Sequence, residues 1–195
     1  MSEDEVALLA RLFRALKEAE PTNLRQFHIA SRRGALLVGH ERIATRLRAL
    51  LSREGSGEGP RAALLFGPPG TGKGQLVKHL SAETGRPVLV VNASELSSPF
   101  VGEAEKNLAR VFAATEETGA LFLDELDALF GKDDESAHQR RLLATFQTLL
   151  DKTGAAVVGA TNRPWALADA VFRRFGLRLY VGELGWREAL GIVDA

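Results

Sequence analysis

Ala62-Ala63-Leu64-Leu65-Phe66-Gly67-Pro68-Pro69-Gly70-Thr71-Gly72-Lys73 decides how this chain folds. Its unbroken apolar start predicts a strand buried on both faces. A glycine-rich loop follows, and a helical pattern runs over 73–84. Strand, loop and helix in that order are the setting in which a loop of this spacing binds phosphate. Residues without a Cβ let the backbone turn tightly and aim N–H groups at phosphate oxygens, the helix start adds its positive pole, and Lys73 supplies a mobile charge. Gly67, Pro68, Pro69, Gly70, Thr71, Gly72, Lys73 and Gly74 are therefore the candidate nucleotide-binding residues. The Ser or Thr that follows the lysine in such loops offers its hydroxyl to Mg²⁺, and here Gly74 stands instead. Water can take that coordination position, so binding survives while metal placement and turnover suffer.

Outward from the loop, short apolar runs alternate with longer amphipathic ones: Val88 to Val91, then 103–117; Ala120 to Leu123, then 137–152; Ala155 to Val158, then 166–174; and last Leu177 to Val181. That alternation predicts an α/β fold with a parallel sheet sandwiched between helices. Upstream, Ile43, Leu47, Leu50 and Leu51 mark another helix, and the Gly-rich stretch from Gly55 to Pro60 a loop. Val6, Leu9, Leu12, Phe13 and Leu16 predict an N-terminal amphipathic helix closed by Pro21, which either docks on the domain's own core or binds a partner. The organisation expected is an N-terminal helix and linker over 1–34 and one α/β domain over 35–195.

Composition narrows the function classes. The chain has 195 residues, 45% hydrophobic and 26% charged, which suits one folded domain and excludes wholesale disorder. Lys plus Arg and Asp plus Glu both number 25, so no global positive field draws the chain to nucleic acid. With no cysteine, disulfides and thiolate metal sites are excluded, and His28, His40, His79 and His138 lack ligand spacing. No apolar run approaches the roughly 20 residues that span a bilayer, and the acidic start from Ser2 to Glu5 is unlike a signal peptide. A cytoplasmic protein is expected.

Ala120-Leu121-Phe122-Leu123-Asp124-Glu125 is an apolar strand ending in two carboxylates, about fifty residues after the phosphate loop. Ligands of open α/β sheets sit at that carboxyl edge. There Asp124 is placed to hold Mg²⁺, mostly through water, and Glu125 to orient and deprotonate an attacking water.

From about Leu37 to Ile192 the chain resembles the ATPase core of AAA+ proteins, of the AAA kind that remodels or unfolds other proteins. The resemblance rests on Gly67 to Lys73 (Walker A), Phe100-Val101-Gly102-Glu103-Ala104-Glu105-Lys106-Asn107, Leu121 to Leu129 (Walker B), Gly159-Ala160-Thr161-Asn162-Arg163-Pro164, and Arg173-Arg174-Phe175. It implies a P-loop NTPase that uses ATP and Mg²⁺. Asn162 matches the sensor-1 residue, which meets the γ-phosphate or the attacking water; the alternative on its own residues is a turn former before Arg163-Pro164. Arg173 and Arg174 match arginine fingers that reach a neighbouring subunit's nucleotide, or, read alone, a solvated basic helix end. Fingers acting in trans imply a ring, a hexamer in this family. Phe100 and Val101 occupy the place of the pore loop that grips a polypeptide substrate, with ordinary packing of Phe100 the alternative. Val38 and Gly39 align with the segment that meets adenine, and His40 beside them reads as a bystander rather than a ligand.

The chain departs from the family at three points besides Gly74. About fifteen residues follow Val181, so the helical lid is expected to be missing or merely begun. Phe175-Gly176 replaces Phe with an acidic residue after it, and Trp165 stands where a polar residue is usual. Gly74 and the short C-terminal end favour a second reading, a nucleotide-gated assembly module with weak hydrolysis. Glu125, Asn162 and the arginine pair speak against it. A DNA-directed loader or helicase finds no support in the balanced charge.

Overall fold

Strands that are apolar at every position need a helix layer on both faces, and the computed structural model shows that arrangement over the residues it describes, 28–29, 40–52, 61–98, 100, 102–132 and 136–183. In chain order the elements are β1 (His28–Ile29), α1 (Glu41–Leu51), β2 (Ala62–Phe66), α2 (Lys73–Thr84), β3 (Leu89–Asn92), a 3₁₀ turn (Ala93–Leu96), α3 (Glu103–Thr118), β4 (Ala120–Asp124), α4 (Leu126–Leu129), α5 (Ala137–Lys152), β5 (Ala156–Thr161), α6 (Asp169–Phe172) and β6 (Leu177–Tyr180). The sheet order is β1-β3-β4-β5-β2-β6, with five parallel strands and β1 antiparallel at the edge. The expected parallel sheet between helices is therefore present, with one short antiparallel strand added.

Alternate residues of each strand feed alternate cores. Ala62, Leu64, Leu121, Leu123 and Val157 pack against α3 and α5 through Leu108, Val111, Phe112, Leu142 and Phe146. Ala63, Leu65, Phe122, Val158 and Ala160 pack against α1 and α2 through Leu47, Leu51, Leu76 and Leu80. Phe146 anchors the first core, its ring 4.7 Å from that of Phe130 and edge-on to Phe112 at 6.1 Å. Gly159, in the middle of β5, leaves space for α4 and Phe175, because a Cβ there would lie 2.3 Å from Leu126 Cδ1 and 2.9 Å from Phe175 Cζ.

Three boundaries differ from the expectation. The helix expected over 166–174 shrinks to Asp169–Phe172. Its would-be first turn is used elsewhere: the Ala166 N–H bonds Arg163, the Ala166 carbonyl takes the Lys132 N–H, and the Ala168 N–H bonds Phe130. Strand β5 runs on to Thr161, and α4 forms directly behind the carboxylate pair. The N-terminal helix, the loop over 55–60, Val38, Gly39 and the segment after Glu183 that bears on the lid lie outside the described residues.

Candidate functional site

The phosphate loop leaves the C-terminal end of β2, which lies between β5 and the edge strand β6, on the sheet's carboxyl edge. Gly67 has no room for a side chain, since a Cβ would stand 2.1 Å from the Val181 carbonyl oxygen. Gly70 and Gly72 adopt φ 79° and 86°, left-handed values that favour glycine. The Gly72 carbonyl accepts the Leu76 N–H at 2.8 Å and starts α2. Among the described residues no hydrogen bond uses the N–H groups of Gly70, Thr71 or Gly72, so three successive donors stay free at a helix start. Lys73 is buried, and its ammonium donates to the Gly67 carbonyl at 2.9 Å and the Pro68 carbonyl at 2.7 Å. The Thr71 hydroxyl donates to the same Pro68 carbonyl at 3.0 Å.

Asp124 and Glu125 end β4, beside Asn92 at the end of β3. Burial raises the Asp124 carboxyl above its ordinary range, with the neighbouring Glu125 and Asp127 charges adding to the rise and the Glu125 N–H and Lys73 opposing it. Its Oδ1 accepts that N–H at 2.9 Å. Glu125 is the one non-glycine described residue with positive φ, 56°. That conformation turns the chain sharply from strand into α4, and local strain of this kind costs about 1–3 kcal/mol. Its carboxylate accepts the Asn92 amide at 3.0 Å.

Asn162 follows the end of β5, whose Thr161 lies in register with Phe66 of β2, which brings it to the same edge. Its Oδ1 is buried without a hydrogen-bond partner among the described residues. A buried acceptor left open is costly and waits for a donor such as a water. Asp127, nearly buried, ties the two strand ends together, accepting Thr161 Oγ1 at 2.5 Å and Arg163 Nε at 2.8 Å.

Arg173 and Arg174 lie elsewhere. Arg174 pairs with Asp151 in the last turn of α5 at 2.8 Å, and the chain then enters β6, whose Leu177 pairs with Ala63 near the start of β2. Both arginines thus stand by the amino edge of the sheet, across a strand about 16 Å long from the loop. Arg173 is exposed: its backbone N–H donates to the Asp169 carbonyl at 3.0 Å, and no hydrogen bond or ion pair of its guanidinium is seen among the described residues, although its charge helps lower the Asp169 pKa. Phe100 is 67% exposed on a turn fixed by its N–H to Ser98 Oγ at 3.2 Å and by Ser98 Oγ to Glu103 at 2.6 Å. Val101 lies outside the described residues. Trp165 is 71% exposed.

The structure thus brings Gly67–Gly74, Asp124, Glu125 and Asn162 together and leaves Phe100 and the arginine pair apart. Sequence reading missed Asn92 and Asp127. A polar residue closing an apolar strand next to β4 was the available signal for Asn92, but strand order was needed to use it. His40, expected to be a bystander, instead bonds the phosphate loop, its Nε2 lying 3.1 Å from the Thr71 carbonyl. Free amides, a buried lysine and two carboxylates on the same sheet edge suit a polyphosphate with its metal. Three or more clustered side chains that would hold a metal by themselves are absent among the described residues. A cleft of about 370 Å³ lined by Phe130, Lys132, Gln139, Arg140 and Leu143 lies on the α5 side rather than at the loop.

Residues 63–183 match the family described as ATPase family associated with various cellular activities (AAA). The chain is 41% identical over 140 residues to fidgetin-like protein 1 of Drosophila melanogaster, covering 67% of this chain and 27% of that protein. It is 42% identical over 132 residues to spastin of Ixodes scapularis (63% and 20%), and 42% over 134 residues to the human ATPase family gene 2 protein homolog B (63% and 18%). It therefore spans about a quarter or less of these relatives. Among solved structures, the FIGL-1 AAA domain crystallised with ADP superposes with a TM-score of 0.72 at 29% identity, over 93% of this chain and 65% of that one. With its parallel sheet, its phosphate loop and this family match over most of its length, the chain belongs to the AAA family of ATPases.

Proposed function

We propose that this chain is an ATP-hydrolysing core which, in a head-to-tail ring of copies, couples hydrolysis of MgATP to remodelling or unfolding a polypeptide, in the cytoplasm. The observation that carries the reading is the separation of the arginine pair from the phosphate loop. A guanidinium about 16 Å away across the sheet cannot serve its own loop, whereas a second copy can bring Arg173 to it. Within one copy, the free amides of Gly70, Thr71 and Gly72 and the Lys73 ammonium bind the phosphates. Asp124 orients the water shell of Mg²⁺, which when bound neutralises charge developing on the β and γ oxygens. Glu125 takes a proton from the attacking water as its oxygen bonds the γ phosphorus and the bridging oxygen leaves with ADP. Asn162 holds that water through its open Oδ1. Exposed Phe100 is the contact for an extended polypeptide, as fits an aromatic ring on a loop with no core to enter.

Gly74 supports a second reading, an assembly module that binds ATP and barely turns it over. Phosphate release measured beside Glu125→Gln separates the two. Under the first reading the substitution removes nearly all release while MgATP binding persists; release equal in both proteins would establish the second. Phe100→Ala should abolish remodelling of a polypeptide substrate with unchanged ATP affinity, and a collapse of affinity would sink the pore-loop assignment.

A further inference from the structure

The phosphate loop has a weak point. The peptide between Thr71 and Gly72 is flanked by Gly72 at φ 86°, and Gly70 at φ 79° lies one residue further back. A peptide plane flips by changing ψ of the residue before it and φ of the residue after it, and glycine takes either sign of φ at little cost. Such a flip would turn the Gly72 N–H out of the phosphate cup and put the Thr71 carbonyl, a repelling dipole, in its place. Within the loop, hydrogen bonds hold the groups on either side: the Thr71 hydroxyl on Pro68 at 3.0 Å, and the Gly72 carbonyl under the Leu76 N–H at 2.8 Å. Neither grips the peptide itself.

His40 does. It is the half-buried residue that starts α1, and its Nε2 lies 3.1 Å from the Thr71 carbonyl, across 31 positions of sequence. The acceptor is a carbonyl, so Nε2 carries the proton and donates. C=O and N–H of a trans peptide point in opposite directions. A carbonyl drawn outward to His40 therefore turns the Gly72 N–H inward, where it is free to meet a phosphate oxygen. We propose that His40 is a positioning residue for polyphosphate binding: it locks the Thr71–Gly72 peptide so that the loop presents the Gly72 amide to the phosphates. The proposal rests on the nucleotide-binding reading above.

Calorimetry of the full chain with MgADP tests it, alongside melting curves without nucleotide. His40→Gln places an amide N–H at the reach of Nε2, whereas His40→Asn reaches only as far as Nδ1. His40→Ala and His40→Asn should each weaken MgADP about tenfold, with His40→Gln within about twofold of the parent. All four proteins should melt alike without nucleotide. Unchanged affinity in His40→Ala, or equal losses in Gln and Asn variants, would overturn the positioning role. So would losses that track a lowered melting temperature, since His40 would then merely dock α1. A parent chain that takes up no MgADP would remove the nucleotide reading and this inference with it, whereas a parent that binds beside an Ala variant that binds equally removes this inference alone.

Discussion

Lys73 keeps its ammonium on two loop carbonyls, and burial, the main influence on it, lowers its pKa below the ordinary lysine value, with the Asp124 charge opposing. A phosphate ligand would replace those carbonyls with full negative charges, which is why a partly desolvated ammonium suits the position. Beside it, Gly74 has space: a Cβ there meets only Phe122 Cε1, at 3.8 Å. Gly74→Thr should therefore be accommodated, gain roughly 0.4 kcal/mol of helix propensity, and raise phosphate release about tenfold, the rate equivalent of about 1.4 kcal/mol. Steady-state phosphate release and urea titration check both halves. Asp124 bears on pH. Its folded pKa is raised, so the folded state holds the proton more firmly than the unfolded chain, and stability falls as pH rises from the unfolded value through the folded one. Asp124→Asn, uncharged throughout, should melt above the parent at pH 7, with the gap closing as the pH falls below about 4. Its Mg²⁺-dependent turnover should vanish at every pH. A parent that melts at or above the variant at pH 7 would contradict the burial argument.

At the scale of elements, β5 does two jobs. Its six residues are all buried, and its end carries Thr161 and Asn162 into the site. Gly159 lets α4 and Phe175 close on the strand from one face, and this packing holds Asp127 where it accepts both Thr161 and Arg163. Gly159→Ala puts a methyl group into that contact and should cost about 1–3 kcal/mol in chemical denaturation, as overpacking of a tight core does. A neutral result would mean that Leu126 and Phe175 move aside freely. The strands and long helices were legible because their periods are simple: short apolar runs for β2 to β5, a run broken by Arg178 for β6, and helical spacing for α2, α3 and α5. Short elements were not. Helix α6 loses its first turn to hydrogen bonds with Phe130 and Lys132, α4 has only four residues, and β1 is a pair recruited by the edge of β3. Those outcomes depend on partners distant in sequence, which no local pattern records.

The whole molecule sets its candidate catalytic groups on two opposite edges. Asp124, Glu125, Asn162 and the loop share the carboxyl edge, while Arg173 and Arg174 flank the amino edge, the first with an exposed side chain and the second paired with Asp151. If a second copy completes the site, Arg173→Ala should lower phosphate release by ~10³ while leaving MgATP affinity near the parental value. Mixed with Lys73→Ala, which lacks the phosphate-binding ammonium, it should regain part of that activity, because some interfaces then pair an intact loop with an intact arginine. Activity that stays absent across all mixing ratios would argue against action in trans. Arg174→Ala should cost less than about 1 kcal/mol of stability through its exposed pair with Asp151.

By itself the sequence determined that a parallel sheet lies between helices, that a glycine-rich loop of phosphate-binding spacing follows β2, and that two carboxylates stand at the end of β4, because apolar period, glycine spacing and a charge at a strand end are local properties. Tertiary structure alone decided that Asn92 holds Glu125, that Asp127 joins two strand ends, that His40 grips the loop, and that the arginines stand across the sheet from it. These pairings follow from strand order and from helices packing over it, so residues 31 to 36 positions apart meet through burial of the apolar faces between them.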